Sequence, residues 1–402
     1  MRTCAVIAEF NPFHYGHAYL LKEARRQSQA QCMMVLMSGN SVQRGEFAIL
    51  DKWQRAQSAL LNGADLVLEL PATATIQAAD YFARRSAELV AALQCDFLAF
   101  ASHGLDTHAY HDLYRLLNDH QSTFDNYLKA ALKEGSSYPK AYEIALESLQ
   151  RDQFIKDPVN LKEGNNLLGF GYYQELHQTK TKMIVIQREK KAETIFQSLE
   201  LPQYLMPGQI FSASQLRSRM IHGQLQAADL PIASYQAYLS GPLIRWEDYY
   251  PLLKYAIISR GISQLKTIHL VKDGVETAIY QAALLSTSYE DLLNRLVNQR
   301  WTRAAVQRVL LQILLANTKS QWQSALNVFD EKPALRVLGF NRRGQAFLKS
   351  RRQGTVQLFT NLSQTIEDSY QLNLKVDRIY QNNLNHQVPE QIVKRRAMIL
   401  PF

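Results

Sequence analysis

The feature that most constrains the fold is a short apolar run that leads into a histidine-rich turn and then into a helical pattern. Residues 4–8 are apolar throughout, which predicts a buried strand. Asn11 and Pro12 predict a turn, and the residues after position 14 follow the pattern of an amphipathic helix. His14-Tyr15-Gly16-His17 therefore falls between a strand and a helix, where open α/β sheets bind ligands.

His14 and His17 flank Gly16 at the start of this predicted helix. A helix N-terminus favours phosphate, and two imidazoles can donate hydrogen bonds to phosphate oxygens as negative charge builds on them. Gly16 removes a side chain where a purine or a phosphate comes close. We therefore predict an ATP site that activates a substrate by adenylation, with His14 and His17 as the catalytic residues. The competing interpretation is a pair of surface histidines in a loop.

Apolar runs and helical patterns alternate along the first half of the chain. Four strand-then-helix units in succession predict a parallel, doubly wound, Rossmann-like α/β sheet whose strand-end loops gather on one edge. The strands predicted after the first one are residues 31–37, 65–71, 95–101 and 182–188. Residues 106–160 are polar and helical in pattern, which predicts a helical insertion.

Charge is distributed unevenly along the chain. Residues 1–210 carry 21 Lys and Arg and 23 Asp and Glu, a net charge of −2, whereas residues 211–402 carry a net charge of +11. This asymmetry predicts a catalytic part and a part that binds a polyanion such as nucleic acid, although a solvated basic face needs no partner. The second half is helical in pattern, so we predict a catalytic domain over residues 1–215 and a basic, mostly α-helical domain over residues 216–402.

Cysteine usage and apolar run lengths indicate the compartment. The three cysteines are odd in number, and their spacing suits neither a zinc site nor a disulfide framework. A reducing cytoplasm is the natural inference. No run approaches the roughly 18 apolar residues of a membrane helix, and nothing resembles a signal peptide. We expect no membrane partner, and no carboxylate cluster announces a dedicated metal site.

Five further side chains are candidates for ligand binding. Arg188 ends the fifth predicted strand, where we predict a contact with phosphate or adenine, with a surface arginine as the competing interpretation. Asn165 opens a predicted helix. It either caps this helix or contacts a nucleotide. Ser212, Ser214 and Arg217 place two hydroxyls and a guanidinium at another helix start, which predicts a second phosphate cradle or only an N-cap.

These motifs resemble those of a known family. His14-x-Gly16-His17 is similar to the signature of the nucleotidyltransferase superfamily, and Ser212-x-Ser214-x-x-Arg217 is similar to its second phosphate motif. More narrowly, the chain resembles the bacterial tRNA(Met) cytidine acetate ligases. This narrower resemblance rests on segments at residues 38–46, 51–53, 63–71, 165–169 and 338–341.

The resemblance implies an enzyme that joins acetate to ATP, giving acetyl-adenylate and pyrophosphate. The acetyl group then passes to the exocyclic amine of the wobble cytidine of elongator tRNA(Met). ATP is the implied cofactor, accompanied by Mg²⁺ and without acetyl-CoA, and it contacts Ala101, Asn165 and Arg188. The family usually has Gly where this chain has Ala101. ATP contacts are also implied along the first motif, at Ile7, Ala8, Glu9, Phe10, Asn11, Pro12, Phe13, His14, Tyr15, Gly16, His17, Ala18, Tyr19 and Leu20.

Basic residues interleave with the helical pattern of the second half. Arg300 and Arg303 are two candidates for contacts with tRNA phosphates, and Arg342 and Arg343 are two more. A solvated helix face is the competing interpretation for each of them. Residues 338–344 predict a tight loop between helices.

Two other functions stay open from the sequence, as does the oligomeric state. One is a nucleotidylyltransferase that acts on a small phosphorylated metabolite. The other is a non-catalytic RNA-binding protein with a degenerate nucleotide fold.

Overall fold

The computed structural model describes residues 1–162, 164–188, 191–201, 209–272, 274–362, 364–392 and 395–401. Its centre is a sheet whose strands come from both halves of the chain. These strands are β1 (Thr3–Ala8), β2 (Cys32–Ser38), β5 (Leu66–Leu70), β6 (Phe97–Ser102), β7 (Lys182–Gln187), β8 (Ala334–Phe340), β9 (Gln357–Phe359) and β10 (Met398–Ile399). A separate antiparallel hairpin pairs β3 (Ser41–Val42) with β4 (Glu46–Phe47).

The strand order is β10-β8-β5-β2-β1-β6-β7, and β9 also pairs with β8. From β5 to β7 all neighbours run parallel. The chain first adds β2 and β5 on one side of β1 and then crosses over to add β6 and β7 on the other. Doubly wound sheets bind ligands at such a reversal, beside the carboxyl ends of the strands. The predicted fold class is confirmed.

Helices cover both faces of the sheet because successive strand residues point to opposite faces. Cys4 and Val6 of β1 pack with Leu21 of the first helix, whereas Ala5 packs with Phe82 and Phe170 on the other face. The helices around the sheet are α1 (Tyr15–Ser28), α2 (Lys52–Leu61), α3 (Ala72–Thr75), α4 (Ala79–Ala92), α8 (Gly164–Leu176) and α9 (Ala192–Ser198). The predicted insertion contains α5 (Thr107–Asp119), α6 (Gln121–Lys133) and α7 (Tyr138–Asp152).

The second half is helical over residues 213–331 and then returns to the sheet. Its helices are α10 (Ala213–Ile221), α11 (Ile232–Ser240), α12 (Tyr250–Leu265), α13 (Val275–Leu285), α14 (Tyr289–Leu296), α15 (Arg303–Leu314), α16 (Lys319–Glu331), α17 (Arg342–Ser350) and α18 (Gln364–Gln381). Short 3₁₀ turns span Ala227–Asp229 and Trp246–Tyr249. Among the described residues, no helix combines the length and the apolar character needed to cross a membrane.

The prediction of a tight loop at residues 338–344 is wrong. This segment is the end of β8, which lies antiparallel to β5, and the start of α17. Arg336 interrupts the apolar run of β8 and hides the strand pattern. Its buried guanidinium donates to the backbone carbonyls of Gln391 and Ile392. These partners are more than 50 positions away in the chain, so the sequence around Arg336 does not reveal how its charge is satisfied.

Candidate active site

His14 and His17 lie together where β1 gives way to α1. His14 is the N-cap of α1, and its Nδ1 accepts the backbone N–H of Gly16 at 3.1 Å. Nδ1 of His17 accepts the backbone N–H of His14 at 3.2 Å. The two rings stack with their centroids 3.7 Å apart. Each ring therefore uses Nδ1 to close the start of the helix and leaves Nε2 for another partner.

Both imidazoles are held in the neutral state. Burial, and secondly the positive charge of Arg188, lower the pKa of His14 to about 3. Burial, His14 and Arg188 lower the pKa of His17 well below its ordinary value. Because each Nδ1 accepts a hydrogen bond, the proton of each neutral ring is on Nε2. The pair presents two N–H donors that carry no positive charge.

Gly16 has a structural role in addition to the predicted one. A Cβ at this position would lie 3.0 Å from Cε1 and 3.1 Å from Nδ1 of His14. The ring of His14 folds back over Gly16 to reach its N–H, and a larger residue would push that ring away. The glycine between the histidines therefore permits the cap itself.

The residues of the first motif divide into a buried group and a half-buried group. The buried group is Phe10, Asn11, Pro12, Phe13, Tyr15 and Ala18. The half-buried group is Ile7, Ala8, Glu9, His14, Gly16, His17, Tyr19 and Leu20. ATP contacts at these positions stay predictions.

A buried arginine that the sequence reading missed holds the strand ends in place. Arg55 on α2 donates to the carbonyls of Glu9 at 2.6 Å and Ser38 at 3.0 Å, and also to those of Gly39 and Leu50. The carbonyls of Glu9, Ser38 and Gly39 lie at or just beyond the ends of β1 and β2, where the strand pairing stops and a side-chain donor takes over. Arg55 lies in an amphipathic helix that contains both polar and apolar residues, so only the tertiary structure reveals its partners.

The loop before β4 connects the first motif to the helical part of the chain. The carboxylate of Glu9 accepts the backbone N–H of Gln43 at 2.6 Å, and burial raises the pKa of this carboxyl. Gly45 has a φ of +80°, and a Cβ on it would lie 2.3 Å from the backbone nitrogen of Arg308. Arg308 in turn donates to the carbonyl of Gln43. α15 therefore packs directly against a loop that touches the motif.

A second strand end, that of β6, lies on the other side of the switch point. Ser102 Oγ and the backbone N–H of His103 both donate to Oδ1 of the buried Asn166, at 3.0 and 2.9 Å. The exposed guanidinium of Arg188 lies 3.3 Å from Nε2 of His103. The positive charge of Arg188 also lowers the pKa values of His14 and His17.

The neighbouring candidates Asn165 and Ala101 lie inside regular secondary structure. Asn165 lies inside α8, which begins at Gly164, so the predicted N-cap role of Asn165 is wrong. Ala101 is half-buried on β6 and pairs in register with Ile186 of β7. ATP contacts at both positions stay predictions.

The second predicted phosphate motif contacts the first one. Ser212 is the N-cap of α10, and its Oγ accepts the backbone N–H of Gln215. Ser214 is exposed in the same turn. Arg217 donates to the carbonyl of Asn11 at 2.8 Å and so ties α10 to the turn before His14. The fold thus brings the two motifs together, and their phosphate contacts stay predictions.

The arginines predicted to bind tRNA lie in two separate places. Arg300 and Arg303 are exposed near the start of α15, where Arg303 forms a two-pronged ion pair with Glu290 at 2.8 and 2.6 Å. Arg342 and Arg343 are exposed at the start of α17. Because β8 runs antiparallel to β5, this second pair lies at the sheet edge opposite His14.

The described cysteines and acidic residues show no second reactive centre. Cys4, Cys32 and Cys95 are buried and free, and burial raises the pKa of Cys4 and of Cys32 to about 12. Among the described residues, no group of three or more His, Cys, Asp or Glu could hold a metal ion.

Comparisons with known proteins agree with this geometry. A family model described as HIGH Nucleotidyl Transferase matches residues 1–395. The tRNA(Met) cytidine acetate ligase of Bacillus subtilis (strain 168) is 31% identical over 388 residues, which are 94% of this chain and 92% of that protein. The tRNA(Met) cytidine acetate ligase of Latilactobacillus sakei subsp. sakei (strain 23K) is 35% identical over 370 residues, which are 88% and 86% of the two chains.

The same fold occurs in a solved structure. The crystal structure of Thermotoga maritima TmcAL bound with alpha-thio ATP matches with a TM-score of 0.86, covers 100% of both chains and is 23% identical in sequence. The apo form of that protein matches with the same TM-score. With a family model that spans nearly the whole chain and relatives above 30% identity over most of both lengths, this chain belongs to the tRNA(Met) cytidine acetate ligase family of HIGH nucleotidyl transferases.

Proposed function

We propose that this chain forms acetyl-adenylate from acetate and ATP and transfers the acetyl group to the exocyclic amine of the wobble cytidine of elongator tRNA(Met). The observation that carries the first step is the pair of neutral imidazoles at the start of α1, each with Nδ1 occupied and Nε2–H available. The names of the relatives support the choice of tRNA(Met) and acetate.

Adenylation makes acetate reactive. Free acetate is anionic and has no leaving group, so an amine does not displace one of its oxygens. When an acetate oxygen attacks the α-phosphorus, a new P–O bond forms, the bond to the β-phosphate breaks, and pyrophosphate leaves. The Nε2–H groups of His14 and His17 donate to oxygens on which negative charge grows, and one such donor is typically worth about 2.7–4 kcal/mol in the transition state.

The second step transfers the acetyl group to nitrogen. The cytidine amine attacks the acetyl carbonyl carbon, a C–N bond forms, and the bond to the AMP oxygen breaks with loss of one amine proton. The base must leave its stack to reach the cleft, as bases in RNA loops do when proteins bind them. No covalent bond to the protein is needed, which agrees with buried, protonated cysteines.

Three accompanying features belong to the same proposal. Mg²⁺ enters with ATP as part of the substrate, held by phosphate oxygens. Acetate and ATP, rather than acetyl-CoA, supply the acetyl group. The reaction takes place in the cytoplasm, where tRNA is available and thiols stay reduced.

The test combines purified protein, labelled acetate, ATP, Mg²⁺ and transcribed elongator tRNA(Met). We expect one AMP and one pyrophosphate for each acetyl group transferred, and mass spectrometry of nucleosides should show acetylcytidine at the wobble position. A tRNA with uridine at this position is the matched control and should accept no label. Acetyl-CoA in place of acetate and ATP should also give none.

Two outcomes would contradict the proposal. Pyrophosphate release that requires a phosphorylated metabolite instead of acetate would indicate a nucleotidylyltransferase. Binding of tRNA without any acetate-dependent release of pyrophosphate would indicate a non-catalytic RNA-binding protein.

A further inference from the structure

A basic groove lies at the sheet edge opposite the histidine pair. Its volume is about 930 Å³, and ten residues line it, of which five are basic and none is acidic. The basic residues are Lys22, Arg25, Arg26, Arg342 and Arg343. Three of them come from the end of α1 and two from the start of α17, so the groove joins the two halves of the chain.

A buried carboxylate ties the two walls of this groove together. Asp65 Oδ2 accepts from Arg25 at 2.6 Å and from the backbone N–H of Met33 at 2.7 Å. Asp65 Oδ1 accepts from the side chain of Asn341 at 2.8 Å, directly before Arg342. Asn341 also caps α17. The groove is therefore fixed in advance, and a ligand would not need to order its backbone.

The charges of the groove are only partly compensated. Arg25 pairs with Asp65, Lys22 pairs with Glu200 at 2.7 Å, and Arg26 pairs with Glu23. Among the residues that the structure describes, no ion pair involves Arg342 or Arg343. Clustered like charges repel each other and weaken the compact state unless an anion binds between them.

The position of the groove relative to the histidines is set by one rigid element. α1 begins beside His14 and ends with Arg25 and Arg26 in its last turn. A helix of 14 residues spans about 21 Å at 1.5 Å per residue. A nucleic-acid duplex carries about one charge per 1.7 Å of its axis, so an RNA stem whose loop occupies the cleft offers phosphates at this distance.

We propose that this groove binds backbone phosphates of the tRNA outside its anticodon loop and holds the stem while the loop enters the cleft. The inference rests on the proposed function, which supplies the RNA. The proposal is more specific than binding by a general basic face, because it assigns the phosphate contacts to Arg342, Arg343 and the end of α1 together.

The test replaces both unpaired arginines by an uncharged residue with a long side chain, in R342Q/R343Q. Each phosphate contact adds a slope of about −0.7 to −0.9 in log K against log salt, so two lost contacts predict roughly tenfold weaker tRNA binding or more near 0.15 M salt. The salt slope should become shallower by about 1.4 to 1.8. KM for tRNA in the acetylation reaction should rise by a similar factor.

The matched control is K349Q/R352Q, which removes the same total charge from two exposed basic residues, one in the last turn of α17 and one just after it. This variant should bind tRNA as the unchanged chain does. Thermal unfolding of both variants checks the fold. A short loop oligonucleotide, which cannot reach the groove, should bind R342Q/R343Q and the unchanged chain equally.

Two results would overturn the groove assignment. One is equal tRNA affinity and equal salt slope for R342Q/R343Q and the unchanged chain. The other is a variant R342Q/R343Q that no longer binds vesicles with anionic headgroups but binds tRNA as the unchanged chain does. If the unchanged chain does not acetylate tRNA at all, the proposed function fails instead, so the two failures can be told apart.

Discussion

At the scale of single residues, His14 combines an observed role with a proposed one. Its Nδ1 caps α1, and its Nε2–H is the donor that we propose for the phosphates of ATP. A neutral imidazole suits both roles because a protonated ring would lose the acceptor that the cap needs. The cap therefore fixes the tautomer and the tautomer supplies the donor.

Replacing His14 separates the two roles. His14→Ala should lower the free energy of unfolding by about 0.5–2 kcal/mol, since the cap is lost. His14→Asn keeps a side-chain acceptor and should retain more of this stability. Both variants should slow acetate-dependent pyrophosphate release by roughly 10²–10³-fold, because neither has the Nε2–H donor. An Asn variant with unreduced release would remove His14 from the chemistry.

The lowered pKa of His14 predicts a pH dependence of stability. An unfolded histidine binds a proton near pH 6.5, whereas folded His14 does so only near pH 3. Between these values the unfolded chain holds more protons, so stability falls as the pH falls, by up to about 1.4 kcal/mol per pH unit. Urea unfolding at pH 7.5, 6 and 5 should show a shallower decline for His14→Asn. Parallel declines would show that His14 is not held neutral.

At the scale of elements, a buried ionic cluster joins α2, β5 and α18. Lys52 Nζ lies 2.8 Å from Glu69 and 2.5 Å from Asp377, and all three side chains are fully buried. Burial raises the pKa of Asp377 to about 7, although Lys52 opposes this. Burial acts to raise the pKa of Glu69, but the charges of Lys52 and Arg336 and the hydrogen bonds from Lys52 and Tyr370 together hold it below its ordinary value. Asn40 completes the cluster with a hydrogen bond to Asp377.

This cluster explains several of the motifs that carry the family resemblance. Asn40, Lys52 and Glu69 lie in three of those segments, yet each binds the others or α18. Their role in the structure is to fix the loops after β2 and β5 beside the site. A residue in a loop after a strand, such as Asn40, is expected to contact a ligand. Only its partner Asp377 on α18 shows that Asn40 supports the structure instead.

Lys52→Met should destabilise the fold strongly. The change leaves Glu69 and Asp377 buried without their shared cation, which typically costs about 3–5 kcal/mol. Arg84→Ala is the matched control, because it breaks the exposed ion pair with Glu175 and should cost about 0–1 kcal/mol. Urea unfolding monitored by circular dichroism measures both. Equal effects would show that the buried cluster adds nothing beyond a surface pair.

At the scale of the whole molecule, the two halves share one sheet. β8 covers the edge of β5, and α18 supplies Asp377 to the buried cluster. Phe47 of the first half packs against Trp246, Tyr249 and Tyr380 of the second. The domain division at residue 215 stays a prediction, and these contacts argue that the two parts depend on each other.

A fragment of residues 1–215 tests this dependence. Without β8 the edge of β5 loses its partner, and Lys52 and Glu69 lose Asp377, so we expect no cooperative unfolding transition and a strong tendency to aggregate. The full chain is the control. A soluble fragment with a sharp transition would show instead that the first half folds alone.

The sequence by itself determined the sheet class, the placement of the histidines between β1 and α1, and the second motif at the start of α10. These are local properties, because apolar periodicity and capping residues act over a few neighbouring positions. Ser212 shows the same locality, since a serine at a helix start is observed as the N-cap of α10.

Tertiary structure alone decided the partners of residues that are far apart in the chain. Arg217 reaching Asn11, Asp377 pairing with Lys52, Arg336 inside a buried strand and Asp65 tying α1 to α17 all depend on how elements pack. The local sequence around a charged side chain is the same whether or not that side chain has a buried partner in the folded structure. Burial makes such pairing obligatory, and the chain reveals the partner only when folded.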